Sequence, residues 1–147
     1  MLKKIITILS IVLLLILSGI INSCSGTIEI PYNSVEQKPC FDEKTLLNIE
    51  NFPGILVDSL SASQSQNLIS VSMIIKTYCG AQMTFNIEKN EDRINLHLYN
   101  ANHETDNCVC TRKLSVSFNK TEPGFYNLIL TNLSGTQLFG QLGININ

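Results

Sequence analysis

The chain has 147 residues, with 10 lysines and arginines against 12 aspartates and glutamates and a formal charge of −2. That length has room for one domain with a modest core, and basic residues scattered among acids argue against a nucleic-acid partner. Charged residues make up only 15% of the chain, so outward-facing positions fall mainly to Asn, Ser and Thr, as in β-proteins with neutral polar faces.

At the N-terminus, Lys3 and Lys4 precede a nearly unbroken apolar run from Ile5 to Leu17, and Ser18-Gly19 leads into Ile21-Asn22-Ser23-Cys24. A positive start, an apolar stretch and small residues before a cleavage point describe an export signal. The segment resembles a bacterial lipoprotein signal peptide with its lipobox. Ile21 is the aliphatic residue three before the cysteine and Ser23 the small one just before it, while Asn22 departs from the usual second position. The resemblance implies cleavage before Cys24, a diacylglycerol thioether on its sulfur, and a third acyl chain on the new amino terminus. At roughly 0.8 kcal/mol per buried CH₂, two or three chains form a durable anchor in membrane lipid. By resemblance to the Gram-negative sorting rule, Ser25 in place of aspartate implies the outer membrane. With no acidic cluster after the cysteine, the periplasmic leaflet is expected rather than the surface. The domain plan is then a signal helix over residues 1–23, a lipidated tether and edge segment over 24–44, and a folded domain over 45–147.

After the anchor, Pro31 and Pro39 flank a polar stretch with one short apolar patch, Ile28-Glu29-Ile30. Thr45 to Glu50 reads either as a strand or as a helical turn. Asn51-Phe52-Pro53-Gly54 is a turn, Gly54 to Asp58 a short strand, and Ser59 to Gln66 a small-residue loop. Within this region Asp58-Ser59-Leu60 resembles a short acceptor motif for O-glycosylation known from some Gram-negative gut bacteria. Ile69, Val71, Met73 and Ile75 alternate with polar neighbours and predict a long strand. The clearest unit follows: Gln82 to Glu88 and Arg93 to Tyr99 each alternate with period two, and Lys89-Asn90-Glu91-Asp92 reverses the chain between them, predicting an antiparallel hairpin. A polar loop from Asn100 to Asn107 leads to strands over Lys113 to Phe118, Tyr126 to Leu130 and Leu142 to Ile146. Seven to eight strands after the signal helix predict an all-β, antiparallel sandwich, with a small barrel as the second choice. Pro123 to Leu130 carries a G-x-Y-x-L-x-L pattern that resembles the penultimate strand of immunoglobulin-like and fibronectin-like domains. That resemblance implies an immunoglobulin-like sandwich with Tyr126 buried at a corner. More loosely, the order of strand-ending cysteine, hairpin, C-x-C and this pattern resembles small secreted lipoproteins of Bacteroides-like bacteria.

Five cysteines are an odd number for an exported chain. Assigning Cys24 to lipid leaves Cys40, Cys79, Cys108 and Cys110 for two disulfides. A Cys108–Cys110 bond would close a strained small ring. Cys79 is expected to pair with Cys108 or Cys110 around the hairpin, closing a loop of about 30 residues, and Cys40 to tie the N-terminal segment to the same corner. The competing use of these sulfurs is a zinc or copper(I) site built from Cys108, Cys110 and His103. Ser59 or Ser61 with His97 or His103 and Asp106 lacks any nucleophile-elbow motif, and no redox C-x-x-C or phosphate loop is present. The reading is therefore a non-enzymatic binding or structural module with no cofactor. Its candidate surface is His97, Tyr99 and Phe125 with the Asn100–Asn107 loop, and its partner an envelope protein or glycan.

Overall fold

A computed structural model describes residues 26–45, 52–103 and 108–147. The signal segment, Cys24, most of the ambiguous Thr45–Glu50 run and loop positions 104–107 lie outside the described residues. Every regular element among the described residues is a strand: β1 (Ile28–Glu29), β2 (Tyr32–Gln37), β3 (Asp42–Thr45), β4 (Ile55–Gln64), β5 (Leu68–Tyr78), β6 (Met83–Asn90), β7 (Arg93–Asn100), β8 (Cys108–Asn119), β9 (Gly124–Asn132) and β10 (Leu138–Ile146).

They form two sheets, one ordered β1-β6-β7-β9-β10 and the other β2-β8-β5-β4, with β3 also pairing β8. The period-two alternation explains how the layers face each other. Ile69, Val71, Met73 and Ile75 of β5 and Leu114, Val116 and Phe118 of β8 turn inward from one sheet. Phe85 and Ile87, Ile94, Leu96 and Leu98, and Leu128 and Leu130 answer from β6, β7 and β9 of the other, all essentially buried. Two half-apolar sheets can hide those faces only by stacking, which leaves serines and amides outside.

The expected hairpin is present as β6 and β7, in register from Met83↔Asn100 to Asn90↔Arg93. Its turn is shorter than the four-residue cluster suggested, because Lys89 and Asn90 stay in the strand and Glu91 takes a φ of +52°. The expectation of a wholly antiparallel fold needs correction at one place, since β7 and β9 are parallel. Between them the chain crosses to the other sheet as β8 and returns, so β9 runs in the direction of β7 instead of folding back on it. The immunoglobulin-like arrangement of purely antiparallel sheets differs at this pair.

Two stretches outside the long alternating runs also prove to be strands. Residues 28–45 supply β1, β2 and β3: the chain pairs first with β6, then crosses at Pro31 to β8. The Gln37 side chain clasps the two sheets together, its amide donating to the Ala81 carbonyl at 2.9 Å and its oxygen accepting from Met83 N–H at 3.0 Å. The expected loop after Asp58 is instead the second half of β4, where a bulge between Val57 and Ser59 shifts the register. Ile55 and Val57 lean inward before the bulge, Leu60 and Ala62 after it, so the inward parity changes within one strand. Asp58-Ser59-Leu60 therefore lies in a strand, with Ser59 exposed and Asp58 3.5 Å from the Lys76 ammonium.

Candidate functional site

One end of the sandwich gathers the features that carry chemistry. β5 ends at Tyr78, and Cys79 follows in a two-residue turn whose N–H donates to the Cys108 carbonyl. The β7–β8 loop folds onto that turn, with the Asn102 amide donating to the Gly80 carbonyl at 2.9 Å and Ala101 N–H to Gln82 at 2.7 Å. The start of β4 arrives at the same level, Ile55 opposite Thr77, and Phe52 packs edge-on against Tyr78 at 5.1 Å.

The disulfides are Cys40–Cys110 and Cys79–Cys108. This resolves the two pairings left open by the sequence. Cys108, Cys110 and Arg112 share the parity of Leu114, Val116 and Phe118, so β8 directs all of them toward the interior. The Sγ atoms of Cys40, Cys79 and Cys110 lie within 4.8 Å of one another, which sets the two bonds side by side. Arg112 enters the same cluster and is only 4% exposed. Its Nη2 donates to Cys40 Sγ and Cys110 Sγ at 2.9 Å each, and to the carbonyls of Cys79 at 2.6 Å and Tyr78 at 3.4 Å. A buried guanidinium needs such acceptors to offset its desolvation. The alternative metal set is divided here: Cys108 and Cys110 are bonded to Cys79 and Cys40, and a metal would need their thiolates, while His103 lies in the loop.

Beside this corner opens a cleft of about 410 Å³, a volume within the range of small-ligand sites. Ile55, Leu98 and Leu133 give it apolar walls, and Tyr99, Asn100, His103, Asn132 and Ser134 supply polar groups. Tyr99 and Asn100 are the last residues of β7, paired with Thr84 and Met83 of β6 but beyond the final β7–β9 pair, Leu98↔Asn132. His103 stands in a left-handed conformation, φ +54°, and is exposed. Leu133 is 55% exposed at the tip of the β9–β10 turn.

Of the surface residues singled out by sequence, the structure brings Tyr99 into the cleft with Asn100 and His103, and leaves the other two elsewhere. His97 lies flat on the outer face of β7. Its Nδ1 is 2.9 Å from Thr131 Oγ1 and 3.3 Å from the Asn132 carbonyl, and its Nε2 is 3.8 Å from a Glu88 oxygen. It braces the strand leading to the β9–β10 turn. Phe125 shares that outer face but sits at the opposite end. His97 pairs with Thr131, six residues further along β9, which puts the two about 20 Å apart at strand rise. Its ring, 62% exposed, covers Gly143, where an added Cβ would fall 2.6 Å from Cζ. Ser59 and Ser61 face outward on the other sheet, so His97 is separated from them by the thickness of the sandwich.

Arg112, one of the basic residues scattered among acids, is the residue that sequence reasoning missed. The signal was available in its parity with Leu114, Val116 and Phe118, two residues after an inward cysteine. Comparisons of the chain with protein-family models, with curated proteins and with solved structures found no match.

Proposed function

We propose that this chain is an envelope-anchored bacterial lipoprotein, held in membrane lipid through acylated Cys24, whose sandwich works by binding and not by catalysis. The observation that carries the reading is the cleft of about 410 Å³ at the end of the sandwich, with apolar walls and a few convergent polar groups. Tyr99 supplies an amphipathic ring and Leu133 an apolar lip, while the Asn132 amide fixes the rim from within, donating to Thr136 Oγ1 and accepting from Gln137 N–H at 3.1 Å each. That combination suits one or two sugar rings or a short peptide segment, and the partner is an envelope glycan or an extended segment of an envelope protein. Two internal disulfides support an extracytoplasmic address, and the outer membrane, periplasmic side, follows from the Cys24-Ser25 context. The immunoglobulin-like reading rests on Tyr126, buried on β9 behind Gly124, with the parallel β7–β9 pair counting against it.

The test is a binding screen of the full chain, extracted in detergent, against envelope oligosaccharides and extended peptides, repeated with Tyr99→Ala and Leu133→Asp. The reading expects a ligand whose affinity falls at least tenfold in both variants, with unchanged far-UV circular dichroism. A ligand bound equally well by both variants would overturn the assignment to the cleft.

A further inference from the structure

Both disulfides offer a half-buried sulfur, since Cys79 and Cys108 are half-buried as Cys40 is, and they differ in that the Arg112 guanidinium donates to the sulfurs of Cys40 and Cys110 only. Cys40 is half-buried on the stretch between β2 and β3, whereas Cys110 is 1% exposed inside the sandwich. A nucleophile arriving from solvent therefore meets the Cys40 sulfur first. The sulfur it would displace, Cys110 Sγ, lies 2.9 Å from Arg112 Nη2. A guanidinium at that distance lowers the pKa of a thiol, and a low-pKa thiolate is the faster leaving group. Arg112 meets Cys79 differently, through the backbone carbonyl at 2.6 Å.

We propose that Cys40–Cys110 is a thiol-exchange site, with Cys40 the sulfur that takes up an incoming thiol and Arg112 the positioning residue that receives the Cys110 thiolate. In the first step a small-molecule thiolate attacks Cys40 Sγ. A new S–S bond forms to Cys40, the Cys40–Cys110 bond breaks, and its electron pair leaves on Cys110 Sγ opposite Arg112. With a dithiol, the second thiolate of the reagent then attacks the mixed disulfide. The reagent is oxidised to its own disulfide, and its two electrons end on Cys40 and Cys110 as thiols or thiolates. Stabilising the reduced pair makes Cys40–Cys110 the more easily reduced of the two bonds, and reducing it leaves residues 38–41 tied to β8 by the Lys38 and Phe41 N–H groups, which donate to the Lys113 and Thr111 carbonyls at 2.9 and 3.0 Å. This inference is independent of the cleft and of any ligand it holds.

The experiment equilibrates the detergent-extracted full chain with graded reduced and oxidised dithiothreitol, quenches in acid, alkylates and maps each cysteine by peptide mass. A parallel sample receives glutathione and is mapped for the adduct. The proposal expects Cys40 and Cys110 to become alkylatable with an equilibrium constant at least tenfold more favourable than Cys79 and Cys108, and the glutathione adduct on Cys40. Arg112→Gln should reduce that advantage about tenfold, equivalent to ~30 mV, with Arg112→Lys intermediate and the Cys79–Cys108 midpoint unmoved. A merely structural arginine would shift the stability of the fold without changing the order of reduction. If Arg112→Gln does not fold, the wild-type adduct map decides alone. An adduct on Cys79 or Cys108, or a common midpoint for both pairs, would overturn the proposal.

Discussion

The two ends of the sandwich are built on different principles. At one end the turns are short and held by backbone hydrogen bonds: Ser65 N–H closes the β4–β5 turn on Leu68 at 2.9 Å, and neighbouring segments tie on through Asn127 N–H to Asp92 at 2.8 Å and Lys120 N–H to Asn67 at 3.0 Å. No cross-link among the described residues is found there. At the other end long connections meet, and their geometry is held by two disulfides, a buried arginine and side-chain amides from Gln37 and Asn102. The first end needs only to reverse strands. The second holds a cleft open, and chain segments of that length order only when something offsets their entropy.

The largest expected effects come from cutting the cross-linked end. Replacing Cys79 and Cys108 together by Ala should destabilise the protein by about 3.6 kcal/mol, and replacing Cys40 and Cys110 by about 4.4 kcal/mol, on the chain-entropy model for their separations of 29 and 70 residues. The loops are nested, so the quadruple variant should lose less than the sum. Urea midpoints under non-reducing conditions measure this. Substitutions at the tight-turn end should be milder by several kcal/mol, and similar losses at both ends would dissolve the contrast.

Within the cleft, Leu133→Asp should weaken ligand binding at least tenfold while leaving the thermal midpoint nearly unchanged, because the side chain is exposed at a turn tip. At the other end, Glu91→Gly should stabilise the hairpin by about 0.5–1 kcal/mol, since glycine takes a φ of +52° without a side-chain clash. A loss of stability there would show that the Glu91 side chain makes contacts outweighing its backbone cost.

The smallest effect concerns pH. The Lys38 side chain, by hydrogen bond and charge, holds the Glu36 carboxyl below its ordinary value of 4.5. A depressed folded-state pKa contributes stability that is present above the unfolded value and fades as pH falls through the folded one. Glu36 is fully exposed, so solvent and salt screen the pair and the shift should be modest. Carboxyl titration by NMR should show the Glu36 midpoint rising in Lys38→Gln, and an unchanged midpoint would remove Lys38 as the cause.

What could be read from the chain alone divides along physical lines. β5 and the β6–β7 hairpin announce themselves because alternation with large aliphatic residues survives any tertiary context. The four cysteines and their corner were readable from count and spacing, but choosing Cys108 over Cys110 for Cys79 required the β5–β8 register. The first half of β4 was legible as the Gly54–Asp58 strand, but its second half was hidden because it alternates Ser with only Leu60 and Ala62, and the bulge at Asp58 reverses the parity. β2 was hidden because its pairing partner, β8, lies some 80 residues away in sequence and Val35 is the only aliphatic residue in the strand. The candidate surface was half readable. Strand parity puts His97, Tyr99 and Phe125 on one outer face, while the parallel pairing of β7 with β9, which sends Phe125 to the far end, leaves no trace in local sequence.

The most direct test of the central claim, an anchored and disulfide-stapled binding module, is the intact mass of the protein extracted from its native membrane, alkylated without reductant. The account predicts a chain beginning at Cys24, carrying two or three acyl groups, with none of Cys40, Cys79, Cys108 or Cys110 alkylated. An unlipidated chain with two or more alkylated cysteines would contradict both the anchor and the stapled corner.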